Sequence, residues 1–405
     1  MALVVRPLTA ADRHQSLRLG AEAFGGRPPT LPDPDEPDPD ETEPPPLVGT
    51  AITGTFDGDE LVAKAAVHDL TSFFHGQLVA TAGIASVTVA LEHRGRGLLT
   101  PMMHSAVTAA AEQGAVISTL FPTAPRIYRR YGYELISTIT TMQIEAAALH
   151  SIPSGDEGGV SLRRATPADV EAMLGCYLLW AHAQNGPLTR TGPRFADPAE
   201  DFLDSTGTTL AVDAEGTVVG YCSWDRGTGY GAHVAIEVYD LIALTPGART
   251  ALAGALAGFG SVAGRVQLRS SGFDELDLLI GAGEQKVIKD QPYMLRLLDV
   301  PAALSLLSAP PGSSYVVDLE VAGDELGLIN GCYRISVTDG ELHAVRTRRR
   351  TATPVFTPRG LALWWSGRST LRNLRMAGLA TGGTDADPIF DALVAPRPLQ
   401  IRDYF

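Results

Sequence analysis

Residues 84–113 read IASVTVALEHRGRGLLTPMMHSAVTAAAEQ, and their grammar decides the fold. Ile84 to Leu91 is dense in β-branched and apolar residues and predicts a strand. After Glu92-His93, Arg94-Gly95-Arg96-Gly97-Leu98-Leu99 is a glycine-containing turn, and Thr100 to Gln113 predicts a helix with proline near its start. A strand, a glycine turn and a helix together present free backbone N–H groups at a helix N-terminus, where a pyrophosphate can be held. Gly95 and Gly97 permit close approach of the backbone, and Arg94 and Arg96 add positive charge. Read alone, the same residues also suit a plain surface turn.

About thirty residues on comes FPTAPRIYRRYGYE, with Tyr128, Tyr131 and Tyr133. Tyr131 and Tyr133 read as packing at the start of a strand. Tyr128 falls on a short helical turn after Pro125, from which a phenol can face a cleft.

Working outward, the chain repeats itself. Val4–Asp12 (VVRPLTAAD) and Ser161–Asp169 (SLRRATPAD) share an apolar pair, an arginine and Thr-x-Ala-Asp at the same spacing. Each predicts a strand running into a helix capped by Thr9 or Thr166, with Asp12 or Asp169 satisfying free amides of the first turn. Thr55–Ala65 (TFDGDELVAKA) and Ala211–Tyr221 (AVDAEGTVVGY) match at nearly the same offset, each as two strands around a tight turn. The order and separation of these matches predict a duplicated fold, over 1–150 and 151–290. From 291 to 405 alternating runs such as SSYVVDLEV precede helical TPRGLALWWSG, which predicts an α+β domain.

Composition sets the class. With 405 residues, 45% hydrophobic and 19% charged, the chain is long and apolar enough for two or three buried cores. Its net charge of -14 has the wrong sign for phosphate backbones, which argues against nucleic acid and suits a cationic or amine partner. Part of that charge is local, because Arg27–Pro46 holds nine prolines and seven carboxylates and predicts an extended acidic loop. Cys176, Cys222 and Cys332 have neither disulfide nor zinc spacing, and no metal is expected; His93 and His104 read as structural or surface residues. Arg346, Arg348, Arg349 and Arg350 read as a solvated face or subunit contact. No leader or membrane span is evident, so a cytoplasmic protein is expected.

The strand VTV, the turn RGRGLL and the IYRRYGY segment together resemble the GNAT superfamily of N-acetyltransferases, whose R/Q-x-x-G-x-G/A turn cradles the pyrophosphate of acetyl-CoA. Here Leu99 stands at its sixth position. With the duplicated fold, a third domain and a chain ending in DYF, the sequence resembles the Eis (enhanced intracellular survival) family. The resemblance implies an α/β architecture of two tandem GNAT-type folds followed by a sterol-carrier-protein-like α+β domain, assembled as a homohexamer. It implies acetyl-CoA held by the main chain of Val87, Thr88 and Val89, by the turn Gly95, Arg96, Gly97, Leu98, Leu99 and Thr100, and by Thr123 and Ala124. It implies Tyr128 as proton donor and the C-terminal carboxylate of Phe405 as proton acceptor, with aminoglycoside-like amines and lysine side chains as acceptors. Some members carry a histidine near the position of Phe121.

These roles have a chemical logic of their own. An amine attacks a thioester only when neutral, and the departing thiolate, with a thiol pKa near ~8.5, gains from a phenol near ~10. An α-carboxylate near ~3.5 is a weak base for an amine near ~10 unless desolvation raises it or a water relays the proton. The second copy carries LIALTPGARTALAG where the first has its glycine turn, and lacks an IYRRYGY counterpart. One acetyl-CoA site per chain is therefore expected. The rival expectation is a non-catalytic binder that holds an apolar ligand in the C-terminal domain.

Overall fold

The computed structural model describes residues 3–26, 48–152, 159–272, 275–281, 283–348, 354–394 and 396–405; the expected acidic loop and the pair Arg349 and Arg350 lie outside them. Twelve strands form one sheet: β1 (Leu3–Pro7), β2 (Thr50–Asp57), β3 (Glu60–Phe74), β4 (Gln77–Val89), β5 (Ile117–Leu120), β6 (Glu134–Glu145), β7 (Ser161–Arg164), β8 (Gly207–Val212), β9 (Val218–Arg226), β10 (Gly231–Ala243), β11 (Ala263–Ser270) and β12 (Gln285–Leu297). A second sheet holds β13 (Tyr315–Val321), β14 (Gly331–Thr338), β15 (Glu341–Thr347), β16 (Pro354–Phe356) and β17 (Ala380–Gly382). The helices are α1 (Arg13–Phe24), α2 (Leu99–Glu112), α3 (Pro125–Arg129), α4 (Val170–His182), α5 (Pro198–Leu203), α6 (Pro246–Ala257), α7 (Glu275–Leu279), α8 (Val300–Ser305), α9 (Pro358–Trp365), α10 (Leu371–Met376) and α11 (Asp387–Leu393).

The duplication persists to single hydrogen bonds. In the first copy the Asp12 carboxylate accepts the Thr9 N–H at 2.8 Å and the Thr9 hydroxyl at 2.9 Å, and the Arg6 fork at 2.7 and 2.8 Å. In the second, Asp169 does the same with Thr166, at 2.8 Å for both groups, and with Arg163 at 2.9 and 2.6 Å. The arginine fork holds each aspartate well below the usual carboxylate range. The paired motifs thus fix the same strand-to-helix corner twice.

The two copies interlock. The strand order is β1-β2-β3-β4-β5-β12-β6-β11-β10-β9-β8-β7, so the last strand following the second copy inserts between β5 and β6 of the first. Leu295 of β12 pairs with Thr119 of β5 on one side and Glu134 of β6 on the other, while Met142 of β6 pairs with Leu268 of β11. The expected boundary at 290 falls inside β12, because this strand completes the ladder of the first copy. Parallel strands leave their edges unpaired unless another strand arrives, and β12 covers both edges at once.

Phe74, Val79, Ile117, Ile139, Tyr293 and Leu295 of the large sheet share one buried cluster with Leu319, Ile335, Phe356, Leu361, Trp364, Trp365 and Phe390 of the C-terminal region. Trp364 and Trp365 donate their indole N–H groups to the carbonyls of Phe390 and Ala303. The buried Arg296–Asp324 pair ties β12 to the loop after β13 at 3.2 Å. All three cysteines are buried and unpaired.

Because β5 and β6 obtain their shared partner from beyond residue 284, a fragment of residues 1–150 is expected not to fold alone. Far-UV circular dichroism and thermal melting test this. A native-like spectrum with a cooperative melt would contradict it.

Candidate active site

The site is a place where two parallel strands part. β4 and β5 pair from Thr81 with Ile117 to Ile84 with Leu120, and there β5 ends while β4 continues to Val89. Just past the parting, Ser86 and Val87 of β4 stand opposite the single residue Ala65 of β3, and Ser86 takes the left-handed conformation at φ 51°. This bulge turns the strand locally and re-aims the following residues. Toward β5, the main chain of Val87, Thr88 and Val89 lies beyond the last paired residues, an edge whose polar groups a bound chain can satisfy.

The strand then ends sooner than the sequence suggests, because Leu91–His93 forms a 3-10 turn. Gly95 and Gly97 both sit at φ 76°, in open space where a Cβ would meet nothing within 4 Å. Their conformation is cheap only for glycine, and alternating left-handed residues aim successive N–H groups into one concavity. Leu98 occupies the capping position of α2 and makes no side-chain cap, so the first-turn amides have no capping acceptor from it. Arg96 lies at 2.7 Å from His93 Nδ1 and 3.7 Å from Asp57, and Arg94 donates to the Val89 carbonyl at 3.3 Å. A cavity of about 620 Å3 adjoins this turn, lined by Thr88, Val89, Arg94, Leu91, Gln15 and Glu22.

The second copy answers this arrangement feature by feature. Thr245 caps α6 by accepting the Ala248 N–H at 3.1 Å, which consumes an amide left uncapped in α2. Arg249 turns inward to the Leu241 carbonyl and Glu275, at 3.2 Å each. After β11 the short helix α7 carries no tyrosine. A cavity of about 840 Å3 nevertheless lies in this copy, lined by residues including Arg190, Asp240, Asp403, Ser223 and Tyr239. Its wall is ionic and internally paired, and it holds neither the glycine turn nor Tyr128.

The three tyrosines separate by their partners. Tyr131 shares a hydrogen bond with Thr100 Oγ1 at 2.9 Å, and Tyr133 with Ser118 Oγ at 2.7 Å. Tyr128, on α3 after Pro125, is 8% exposed and packs edge-on against Tyr133, and among the described residues no group hydrogen-bonds its hydroxyl. Burial pushes the Tyr128 phenol up to about 12. Thr123 and Ala124 form the approach to this helix, Thr123 exposed and Ala124 half-buried.

Phe405 is no frayed end. Its ring closes over Gly83 of β4, where a Cβ would stand 2.7 Å from it, and meets Phe121 edge-on at 5.3 Å and His68 at 6.0 Å. Phe121 belongs to an aromatic group with Tyr293 and Tyr404. His68, not singled out from the sequence, shares a hydrogen bond with Thr50 Oγ1 at 2.9 Å, and burial holds its pKa down to about 4. Its only sequence signal is a histidine inside the apolar run AAVHDL. His93 and His104 stand apart from this group, half-buried and exposed.

Two family models match the chain, each described as an acetyltransferase (GNAT) domain, over residues 4–136 and 186–297. The chain is 29% identical over 367 residues to an N-acetyltransferase of Streptomyces avermitilis, covering 85% of this chain and 87% of that one. Over 142 residues it is 32% identical to N-acetyltransferase Eis of Mycobacterium tuberculosis, covering 34% and 35% of the two chains. The solved GCN5-related N-acetyltransferase of Kribbella flavida superposes with a TM-score of 0.79 at 28% identity, over 100% of this chain and 98% of that one. Two tandem GNAT domains therefore account for the large sheet.

The state of the Tyr128 phenol can be read directly. Unfolded tyrosine ionises near 10 and the folded group near 12, so stability that Tyr128 contributes below pH 10 is lost as pH rises through about 12. Ultraviolet difference titration of the protein against Tyr128→Phe is expected to show no phenolate from this residue below about pH 11. A difference signal centred near 10 would contradict its burial.

Proposed function

Because the chain carries two GNAT acetyltransferase domains and is similar to N-acetyltransferase Eis over a third of its length, we propose that it is an Eis-type enzyme that moves the acetyl group of acetyl-CoA to an amine of a polycationic, aminoglycoside-like acceptor. Lysine side chains are a second acceptor class of the same chemistry. The observation that carries this reading is the Tyr128 hydroxyl, which among the described residues has no hydrogen-bond partner, unlike those of Tyr131 and Tyr133, and whose ring packs with Ile84 and Leu120 where the strands part.

In this reading the pantetheine arm of acetyl-CoA lies along the main chain of Val87, Thr88 and Val89, and Gly95 to Thr100 takes the pyrophosphate. Thr123 and Ala124 flank the arm. The open edge of β4, the two positive-φ glycines and the uncapped start of α2 fit such a ligand. Val87, Val89 and Arg96 then contribute main-chain contacts and charge, while Leu98, 3% exposed, anchors the turn in the core.

The acceptor amine attacks the thioester carbonyl directly, within a ternary complex. A C–N bond forms, the C–S bond breaks, and the proton lost by nitrogen passes to the Phe405 carboxylate, directly or through water. A phenol raised to about 12 is fully protonated at neutral pH, so Tyr128 is a hydrogen-bond donor to the sulfur as negative charge develops there, and any proton it passes to the departing thiolate is returned to the phenol from solvent. The net charge of -14 favours a cationic acceptor.

The same reading has the enzyme act in the cytoplasm, in keeping with three unpaired buried cysteines, and assemble as a homohexamer. Among the described residues no helix is long and apolar enough to cross a membrane. The C-terminal unit is read as similar to sterol carrier proteins. Trp364, Trp365, Phe356 and Phe390 fill its interior, which favours a structural role there over the binding of an apolar ligand.

Tyr128→Phe and removal of Phe405 are each expected to lower turnover by at least ~100-fold, the scale of acid–base catalysis. Thiol release from acetyl-CoA with a kanamycin-type acceptor measures it. Full turnover by both variants would refute the mechanism. Gly97→Val, which forces a β-branched residue to φ 76°, is expected to raise KM for acetyl-CoA more than it lowers kcat.

A further inference from the structure

Resting on the reading of Phe405 as proton acceptor, we infer that Arg190 of the second copy is a positioning residue for acetyl transfer, clamping Asp403 and thereby fixing the chain terminus two residues beyond it.

The tail is held along its length. The Pro398 carbonyl accepts the Asn185 N–H and the Gln400 N–H donates to the Asn185 carbonyl, both at 2.9 Å. Ser271 Oγ donates to the Ile401 carbonyl and accepts the Ile401 N–H, both at 2.7 Å. Arg402 donates to the Arg269 carbonyl. Asp403 is then gripped by Arg190, whose Nε donates to Oδ1 at 2.9 Å. Among the described residues the second copy donates no hydrogen bond to the tail beyond Asp403, and the Phe405 ring reaches Gly83. The clamp is the last polar anchor before the terminus, after which Tyr404 and Phe405 are seated by their rings against Phe121, His68 and Gly83.

Arg190 is built for that task. Its other arm is occupied by Asp240 of β10, Nη1 to Oδ2 at 2.5 Å and Nη2 to Oδ1 at 3.2 Å, and Tyr221 donates to Asp240 at 3.0 Å. The guanidinium lies 4.2 Å from the Tyr177 ring centroid. A planar fork between two carboxylates and over an aromatic face has one orientation, which lysine cannot reproduce.

Its main chain is equally constrained. The Thr189 N–H donates to Thr71 of β3 at 2.9 Å, and the Phe73 N–H donates to the Pro187 carbonyl at 2.9 Å. Arg190 itself sits at φ 52°, a left-handed conformation uncommon for a side-chain-bearing residue. One residue is thus tied through its backbone neighbour to the strand beside β4, and through its side chain to β10 and to the tail. Asp240 stands immediately after the Tyr239 bulge, where β10 parts from β11 as β4 parts from β5. The second copy uses its parted strands to hold the terminus that serves the first.

The test pairs Asp403→Asn with Arg190→Gln in the full chain. Digestion with carboxypeptidase A, followed by mass spectrometry, reads release of Phe405 and Tyr404. Both variants are expected to be trimmed at least about tenfold faster than the parent, since the end opens locally more often. With any of the amine acceptors above, kcat is expected to fall about 10–100-fold, the cost of a misplaced group, while KM for acetyl-CoA stays within about twofold. Should Arg190→Gln fail to fold because Asp240 loses its partner, Asp403→Asn keeps the core pair and carries the test alone. Folded Asp403→Asn with parental tail protection and parental kcat would overturn the clamp. Undiminished turnover in a chain lacking Phe405 would instead overturn the reading of the terminus, while the trimming rates still decide the clamp.

Discussion

The structure depends on one strand pairing, that of β12 with both β5 and β6. A parallel β4–β5 pair that parts at its end exposes main-chain groups on both strands, and such an opening survives only if the remaining edge of β5 is held from the other side. β12 does this from Met294 to Leu297. The same strand passes its next pairing to β6, and β6 passes to β11, so two copies become one sheet without an edge between them. The opening at β4 can then stay open while the sheet around it stays closed.

Duplication followed by divergence explains what each copy now does. Both keep the Arg-Thr-Asp corner at the start, where the geometry is purely structural. They differ where chemistry would occur: glycine at 95 and 97 against a threonine-capped proline start, and Tyr128 against a helix without tyrosine. In the second copy charge fills the site, with Arg190 paired to both Asp240 and Asp403. Buried ion pairs contribute little net stability against an apolar alternative, yet they fix orientation, and orientation is what a chain terminus with a catalytic assignment needs.

Much of this was legible in the sequence because it is local. The Thr-x-Ala-Asp boxes, the RGRG turn and the proline before Tyr128 each act within one or two turns of chain, and each element forms where its residues require. The route of β12 was not legible, since QKVIKDQPYMLRL straddles the expected boundary at 290 and nothing in it names a partner about 150 residues earlier. Nor was the seat of the tail. IRDYF shows an apolar end, but its hold on Gly83 and Arg190 arises from pairings between residues more than 200 positions apart. The role given to Phe405 came from family resemblance, and its packing against β4 supplies a physical setting for it.

The central claim is that two similar folds support a single cofactor site, in the first copy. Equilibrium binding of acetyl-CoA to the purified chain, measured by calorimetry, tests it most directly. The account predicts one acetyl-CoA per chain, with that binding weakened by Gly97→Val and unchanged by Thr245→Ala. Two equivalents per chain, or one that survives alteration of the glycine turn, would contradict it.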